Sequence, residues 1–337
     1  MRIADIDLDK EVLVVAEIGN NHEGEYELAE DMIRLAAKAG AGAVKFQTIV
    51  PEKLVSPANT ERVRQLERFR LTRREFRRLK GVADRENLVF LSTPFDLESA
   101  RFLNSLVPAF KIASGDNNFY PLLAEVAATG KPIMLSTGLA DLAQIARSKR
   151  FIEREWRSRK IRQELALLHC VCSYPVPPDE VNLSAIATLR KELDRTVGYS
   201  DHSLGIEAAV GSVFFGARIV EKHFTLDKNH SDFYDHKISA DPGEFARMVQ
   251  RIRAAVQMLG DGKKRIASSE CANLEKARRS IVAARALPEG TVLSWKDLSW
   301  VRPGGGLAPG RENDILGKRL LRPVRKGEMI TRESLDI

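Results

Sequence analysis

The chain has 337 residues, of which 44% are hydrophobic and 29% are charged. That composition is typical of a soluble globular protein with one large domain and one small one. No apolar run approaches the length of a membrane span, and the first residues lack the apolar core of a signal peptide. We therefore expect a cytoplasmic protein with no membrane partner. The three cysteines are too few for a disulfide framework and fit a reducing compartment.

The net charge of +7 derives largely from two stretches, residues 62–80 and 147–162. Both have helical spacing and interleaved glutamates, a pattern typical of the solvated face of an amphipathic helix. Neither stretch carries a recognised nucleic-acid motif, so we expect no nucleic-acid partner. Mild attraction of an anionic substrate is the alternative.

Eight short runs rich in leucine and β-branched residues recur along the chain, as expected for strands buried on both faces. They cover residues 12–19, 43–48, 88–94, 109–115, 132–138, 165–175, 196–202 and 218–225. Helical patterns separate most of them, at residues 26–39, 72–85, 183–193, 206–215 and 244–259. This alternation predicts an α/β protein with a (β/α)₈ TIM barrel. An open doubly wound sheet is the rival, but no glycine-rich dinucleotide fingerprint follows the first run.

The pattern changes after Gly260, where a polar, glycine-containing segment has the composition of a linker. Beyond it the predicted strands are short and are broken by Pro-Glu-Gly and Arg-Lys-Gly turns. We therefore divide the chain into a barrel domain (1–262), a linker (263–276) and a compact C-terminal domain (277–337).

Polar side chains concentrate at the ends of the apolar runs, where a barrel of this kind builds its active site. Lys45 and Lys111 are the most informative, because a lysine buried without a partner is costly and two of them call for an anionic ligand. The hydroxyl and backbone groups around Ser114 and Ser136 are suited to wrap phosphate or carboxylate oxygens. Each serine alone is equally well explained as a strand-end cap.

His202 and His223 end the seventh and eighth runs, which are neighbours in a barrel. Neutral imidazole suits a divalent transition metal such as manganese, and Glu17 and Asp235 are the nearby carboxylates. Two histidines alone are a weak metal signal, since each taken singly is more often a hydrogen-bonded structural residue.

Eight motifs, in the same order along the chain, resemble those of the sialic acid synthase family. They are AEIGNNHEG (16–24), VKFQT (44–48), STPFD (92–96), KIASGD (111–116), LSTG (135–138), YSDHS (199–203), EKHFTLDK (221–228) and DHKISADP (235–242). The tail around VRPGGG (301–306) resembles the antifreeze-like domain of that family. The resemblance spans nearly the whole chain.

The resemblance implies an enzyme that condenses phosphoenolpyruvate with N-acetylmannosamine or a related amino sugar, giving a nine-carbon 2-keto acid and phosphate. It implies a TIM barrel followed by a small antifreeze-like (β-clip, SAF) domain, paired as a domain-swapped homodimer. It also implies a divalent metal held by His202 and His223, manganese first, with magnesium or cobalt as alternatives. The residues implied to bind phosphoenolpyruvate are Lys45, Thr93, Lys111, Ser114, Ser136 and Ser200. Those implied near the acceptor sugar and the metal are Glu17, Gln47, Tyr174 and Asp235, with Arg302 reaching into the partner's barrel.

Three departures from the family pattern bear on the substrate. Cys172 stands where the family has an asparagine near phosphoenolpyruvate, Asp116 replaces a glutamate, and residues 229–237 replace a Gly-Pro-Asp loop. The last two lie toward the sugar, so a legionaminic acid synthase acting on a 2,4-diacetamido hexose is the first alternative. The others are a noncatalytic sugar-binding protein and an aldolase that forms a Schiff base on Lys111.

Overall fold

The computed structural model describes residues 1–336, which divide into two compact units. The first is Met1–Gly260 and the second begins at Asp261. All eight predicted strands form in the first unit. Their bounds are β1 Leu13–Gly19, β2 Ala43–Thr48, β3 Val89–Pro94, β4 Phe110–Ile112, β5 Ile133–Ser136, β6 Leu165–Cys170, β7 Thr196–Asp201 and β8 Ile219–His223.

The eight strands form one parallel sheet in the order β3-β2-β1-β8-β7-β6-β5-β4. The first strand pairs with the last, and the two end strands, β3 and β4, lie side by side. The sheet therefore closes on itself as the predicted TIM barrel. The pairing of β1 with β8 excludes the open doubly wound sheet, in which these strands would be apart.

Helices alternate with the barrel strands and cover their outer faces. They are Tyr26–Lys38, Pro51–Leu54, Thr60–Phe69, Arg73–Arg85, Leu97–Leu103, Tyr120–Ala128, Leu142–Ser158, Ser184–Leu193, Glu207–Ser212, Asp235–Ile238 and Pro242–Leu259. Short 3₁₀ turns are Ser114–Asp116, Pro178–Glu180 and Val213–Phe215. The helix Arg73–Arg85 begins with a capping box, in which Thr72 Oγ1 accepts a hydrogen bond from the backbone of Glu75 while the Glu75 carboxylate accepts one from the backbone of Thr72.

The barrel lumen has an apolar floor at the amino ends of the strands. This layer contains Leu13, Val15, Ala43, Leu91, Ala109, Met134, Ala166, Leu168 and Ile219. A small antiparallel hairpin, Arg2–Ile3 with Ile6–Asp7, precedes β1, and Ile3 and Leu8 pack against this layer. The hairpin therefore closes the lower end of the lumen, a feature that the sequence patterns did not predict.

On six of the eight strands, a charged or hydroxyl residue follows the apolar floor at the next inward position. Because side chains alternate between the two faces of a strand, positions two apart point the same way. The residues two positions after a floor residue on these strands are all buried. They are Glu17, Lys45, Thr93, Lys111, Ser136 and Glu221. The strand register thus places a layer of charged and hydroxyl side chains at the carboxyl end of the lumen.

The second unit has its own hydrophobic core. Strands β9 (Ser280–Ala283) and β10 (Leu298–Val301) pair antiparallel, and the core contains Ile281, Leu287, Leu293, Leu298, Ile315, Leu320, Val324 and Ile330. Further 3₁₀ turns lie at Trp295–Asp297, Glu312–Asp314 and Arg332–Ser334. The segment predicted as a linker contains a 3₁₀ turn, Ser268–Glu270, and a helix, Cys271–Ala277. Among residues 1–336, no helix combines the length and the apolar character that a membrane span requires.

Close packing between β7 and β8 leaves no room for a side chain at Gly198. A Cβ atom there would lie 2.6 Å from the backbone oxygen of Ile219 and 3.0 Å from its Cβ. We predict that Gly198→Ala lowers the free energy of unfolding by about 1–3 kcal/mol, the usual cost of overpacking. Urea unfolding measures this change.

Gly81, inside the helix Arg73–Arg85, is the matched control. A Cβ atom on Gly81 would have as its nearest neighbour the end of the flexible Arg85 side chain, at 3.7 Å. Gly81→Ala should therefore raise the free energy of unfolding by about 0.5–1 kcal/mol. Equal effects of the two substitutions would contradict the packing described for β7 and β8.

Candidate active site

A cavity of about 420 Å³ opens at the carboxyl ends of the barrel strands. All but two of the predicted site residues line it. They are Glu17, Lys45, Gln47, Thr93, Lys111, Ser114, Ser136, Cys172, Tyr174, Ser200, His202, His223 and Asp235. The pairs two residues apart, such as Lys45 with Gln47 and Ser200 with His202, face the same cavity, as the alternation of side chains along a strand predicts.

A carboxylate that is not among the predicted site residues lies at the centre of this cavity. Glu221 Oε1 lies 3.7 Å from Lys45 Nζ and 3.5 Å from Lys111 Nζ. It also accepts a hydrogen bond of 2.9 Å from Ser200 Oγ. Glu221 therefore joins two lysines, Lys45 from β2 and Lys111 from β4, through one oxygen atom. We call Lys45, Glu221 and Lys111 the lumen ion cluster.

Each lysine of the lumen ion cluster has further partners. Lys45 Nζ lies 2.9 Å from Glu17 Oε2 and donates to Thr93 Oγ1 at 3.1 Å. Lys111 Nζ donates to Ser136 Oγ at 2.9 Å. Lys45 thus contacts two carboxylates, those of Glu17 and Glu221. Lys111 contacts the Glu221 carboxylate, which it shares with Lys45, and a neutral serine hydroxyl.

These partners move the two lysine pKa values in opposite directions. Burial acts to lower the pKa of Lys45, but the Glu17 and Glu221 carboxylates outweigh it and raise that pKa. Burial lowers the pKa of Lys111, and Glu221 offsets this only in part. Burial opposes ionisation of Glu221 too, yet the two ammonium groups hold its pKa well below the usual range. Lys111 is therefore the cation that a second anion would stabilise most.

Hydroxyl and thiol groups surround the Lys111 side of the cavity. Ser114 Oγ accepts a hydrogen bond of 3.2 Å from the backbone of Gly138. A Cβ atom on Gly138 would lie 2.7 Å from both Ser114 Oγ and Cys172 Sγ, so glycine allows the close approach of these groups. A hydrogen bond from Cys170 lowers the pKa of the Cys172 thiol to about 6. The Lys111 ammonium and the serine hydroxyls on this side can donate to an anion, whereas Cys172, with this lowered pKa, is a thiolate at neutral pH.

The two histidines lie together on the other side, with ring centroids 5.4 Å apart. Tyr174 stacks on His202, with ring centroids separated by 4.2 Å. Nδ1 of His202 donates to the backbone oxygen of Val171 at 2.9 Å, which leaves Nε2 with a free lone pair. Burial lowers the pKa of His202 to about 4 and that of His223 well below its usual value, so both rings are neutral.

The side chains beside the two histidines have the chemistry of ligands for a divalent metal. Within the described part of the chain, Nδ1 of His223 and Oδ1 of Asp235 are buried without a hydrogen-bond partner. Unpartnered buried atoms of these two types, beside a neutral His202, fit a divalent transition metal. Over residues 1–336, however, no group of three or more His, Cys, Asp or Glu side chains is arranged to hold a metal ion by itself. The residues fit a metal that takes further ligands from water or substrate.

Glu17 and Asp235 are carboxylates close to His223, since Glu17 lies opposite His223 in the strand register. Glu17 Oε1 accepts from Gln47 Nε2 at 3.0 Å, and Asp235 Oδ2 lies 3.7 Å from Nδ1 of His223. Burial, followed by the charge of Glu17, raises the pKa of Asp235 to about 7. Burial also raises the pKa of Glu17. The pKa of Asp235 suits a group that gains and loses protons near neutral pH, and the raised pKa of Glu17 shifts that carboxyl in the same direction.

The outer wall of the cavity combines apolar side chains with one arginine. It contains Ile49, Leu54, Val55, Arg62, Leu66, Phe95, Phe233 and Tyr234. The sequence pattern places Arg62 on a solvated basic face, but it lines the cavity. No signal in the sequence distinguishes it from the other arginines of that stretch. Glu221 does have a signal, because it lies two residues before His223 on the same strand.

Asp116 and Arg302 are the predicted site residues outside the cavity lining. Asp116 ends the 3₁₀ turn that begins at Ser114, and burial raises its pKa to about 6. Arg302 is exposed in the second unit, directly after β10. Their binding of substrate stays a prediction, as does the domain-swapped homodimer in which Arg302 would act.

The fold and the site define a TIM barrel whose strand ends hold two buried lysines beside neutral imidazoles and carboxylates. A SAF domain follows the barrel, and its family model matches residues 278–336. The chain belongs to the NeuB family, whose model matches residues 32–264. The resemblance to sialic acid synthases is thereby confirmed.

Relatives of the chain span almost its entire length. The N,N'-diacetyllegionaminic acid synthase of Campylobacter jejuni is 37% identical over 95% of this chain and 99% of its own. The human N-acetylneuraminate-9-phosphate synthase is 32% identical over 96% of this chain and 92% of its own. Among solved structures, the N-acetylneuraminic acid synthetase of Leptospira borgpetersenii in complex with citrate is 35% identical and matches with a TM-score of 0.77, covering 82% of this chain and 95% of that one.

The lumen ion cluster predicts a large effect of Glu221→Gln. The substitution leaves two buried ammonium groups with one carboxylate, so we expect the free energy of unfolding to fall by about 3–5 kcal/mol. Inorganic phosphate should restore more stability to this variant than it adds to the wild type, because a bound dianion replaces the lost charge. Urea unfolding with and without phosphate measures both effects.

Glu207→Gln is the control for that experiment, since Glu207 pairs with Arg251 and its side chain is 72% exposed. It should change stability by less than about 0.5 kcal/mol. A Glu221→Gln protein as stable as the wild type, or one indifferent to phosphate, would contradict the charge balance described for the cavity.

Proposed function

We propose that this protein is a nonulosonic acid synthase that condenses phosphoenolpyruvate with the open-chain form of N-acetylmannosamine or a related acetamido sugar. The observation that carries this proposal is that Lys45 and Lys111 both contact Glu221 inside the barrel lumen. Serine hydroxyls lie on one side of these lysines, and neutral imidazoles and carboxylates lie on the other. The names of the relatives, which make legionaminic and neuraminic acids, support it.

Phosphoenolpyruvate fits the Lys111 side of the cavity. Its phosphate and carboxylate would receive hydrogen bonds from Lys111, Ser114 and Ser136, and from Lys45 and Ser200 across the lumen ion cluster. These groups are fixed before the ligand arrives, because each already has a hydrogen-bond partner, on a barrel strand or, for Ser114, in the loop just after β5. Such fixed donors hold the enol in one orientation and leave its methylene carbon facing the acceptor.

The acceptor aldehyde would lie between the histidines and the outer wall. The methylene carbon of phosphoenolpyruvate forms a bond to the aldehyde carbon, and the aldehyde oxygen takes up a proton. Water then adds to the carbon that bears the phosphate and loses a proton, and the tetrahedral intermediate expels phosphate to leave the 2-keto acid. Asp235 and Glu17, with raised pKa values, would move these protons.

A divalent metal fits this proposal, with manganese the first candidate. His202 and His223 would hold it, and when bound it would supply Lewis-acid polarisation of the aldehyde. Two further contacts position these groups: Gln47 orients Glu17 through its 3.0 Å hydrogen bond, and Tyr174 stacks on the ring of His202 and restrains its orientation.

The experiment that tests this function is an acceptor panel. Purified protein is incubated with phosphoenolpyruvate, manganese and one sugar at a time: N-acetylmannosamine, its 6-phosphate, or a 2,4-diacetamido hexose. We expect phosphate release and a nine-carbon product by mass spectrometry with at least one of them. We also expect a chelator to abolish the reaction and manganese to restore it. Absence of phosphate release with every sugar would contradict the proposed function.

A Schiff-base aldolase is the second candidate, because burial lowers the pKa of Lys111 and so favours its nucleophilic neutral form. In that reaction pyruvate, not phosphoenolpyruvate, would attach to Lys111. Borohydride in the presence of pyruvate should leave the chain mass unchanged if the synthase proposal holds. A reduced pyruvate adduct on Lys111 would support the aldolase instead.

A further inference from the structure

Glu23, in the motif AEIGNNHEG, lies outside the cavity lining and has no part in the mechanism proposed above. Its carboxylate accepts hydrogen bonds from Ser231 Oγ, from His236 Nε2 at 3.3 Å and from Arg68 Nη2 at 3.1 Å. Its side chain is 13% exposed. One carboxylate thus joins the loop after β1, the helix Thr60–Phe69 and the segment that follows β8.

Two further features hold these three segments together. Gly24 has a φ of +90°, and a Cβ atom there would lie 2.0 Å from the backbone oxygen of Arg68, so only glycine permits this contact. Phe69 packs against Phe233, with ring centroids 4.8 Å apart. The end of the helix is therefore fixed both to the loop after β1 and to the segment after β8.

His236 extends the connection to the barrel. Its Nδ1 is hydrogen-bonded to Thr225 Oγ1 at 2.8 Å, while Nε2 donates to Glu23. Thr225 follows β8 directly, and His236 follows Asp235. The His236 ring is thus held by Thr225 on one side and by Glu23 on the other. These two contacts restrain the backbone of Asp235, which directly precedes His236.

The segments that Glu23 joins carry one wall of the cavity. Helix Thr60–Phe69 contributes Arg62 and Leu66, and the segment after β8 contributes Phe233, Tyr234 and Asp235. The opposite wall, with Lys111, Ser114 and Ser136, belongs to β4, β5 and the turn after β4, which Glu23 does not contact.

We propose that Glu23 is a positioning residue that assembles the acceptor wall and leaves the phosphoenolpyruvate wall unaffected. This inference rests on the proposed function for its division of the cavity into two substrate sides. Glu23 acts through Arg68, Ser231 and His236, and through them sets the distance between the acceptor wall and the lysines. Small errors in such a distance are costly, because reaction requires the two substrates to meet in a defined geometry.

The first measurement is hydrogen exchange of the full-length wild type and Glu23→Gln, detected by mass spectrometry. Gln retains an acceptor oxygen but removes the charge that holds Arg68. We expect faster exchange in residues 60–69 and 229–236, and unchanged exchange in β4 and β5. Arg68, whose side chain is 64% exposed, supplies only one of the contacts of Glu23. Arg68→Ala should therefore speed hydrogen exchange in residues 60–69 more than in residues 229–236.

The matched control is Glu125→Gln. Glu125 binds Arg101 through two hydrogen bonds, of 2.8 and 2.9 Å, and also joins two helices outside the cavity. It should leave exchange in residues 229–236 unchanged. If Glu23→Gln behaves like Glu125→Gln in this segment, the positioning role of Glu23 is wrong.

The second measurement separates the two substrates. For an acceptor that the wild type turns over, Glu23→Gln should raise the acceptor KM or lower kcat so that kcat/KM for the sugar falls about tenfold or more. The Kd for phosphoenolpyruvate should stay within about twofold, which a general loss of structure would not allow. Equal losses for both substrates would overturn the proposal. A wild type without turnover would contradict the proposed function, while the exchange result would still decide whether Glu23 joins the three segments.

Discussion

The ion pairing of Lys45 and Lys111 with one buried carboxylate, Glu221, is the constraint on which the rest of the site depends. Removing two ammonium groups from water is expensive, and the barrel compensates with Glu221, Glu17 and a set of hydroxyl acceptors. The compensation is uneven, because Lys45 has two carboxylates and Lys111 shares one. That imbalance leaves an attraction for a further anion on the Lys111 side, where Ser114 and Ser136 lie. A substrate with phosphate and carboxylate groups would complete the charge of the lumen.

The strand register positions this cluster. Along β1, β2 and β8 the inward residues change from apolar to charged within two positions, for example from Ile219 to Glu221. The apolar floor of the lumen packs on the N-terminal hairpin. The charged layer lies above this floor, at the bottom of the cavity. Since a one-residue slip would exchange the two faces of a strand, the packing of the lower layer also fixes which charges meet in the upper one. The same strand register therefore determines both the packing of the apolar layer and the arrangement of the charged side chains in the cavity.

The period of the apolar runs is enough to predict the eight strands and the TIM barrel, because buried parallel strands have a strong local pattern. Position at strand ends is enough to find Lys45, Lys111 and both histidines. Glu221 was missed although it has the same two-residue spacing from His223. Arg62 could not be found by pattern, since its role depends on where the helix Thr60–Phe69 packs. The hairpin before β1 was missed because its two-residue strands have no measurable period, and the helix Cys271–Ala277 lies within a segment of linker-like composition.

The proposed anion site at the buried lysines is most directly tested by the equilibrium binding of phosphoenolpyruvate in the absence of any sugar. Isothermal titration calorimetry of the wild type, Lys111→Met and Lys80→Met would measure it, with Lys80 a surface lysine paired to Asp84. Loss of one charge-assisted contact should weaken binding about 10- to 100-fold in Lys111→Met and leave Lys80→Met like the wild type. Equal affinity in all three proteins would contradict the claim that the buried lysines form the anion site.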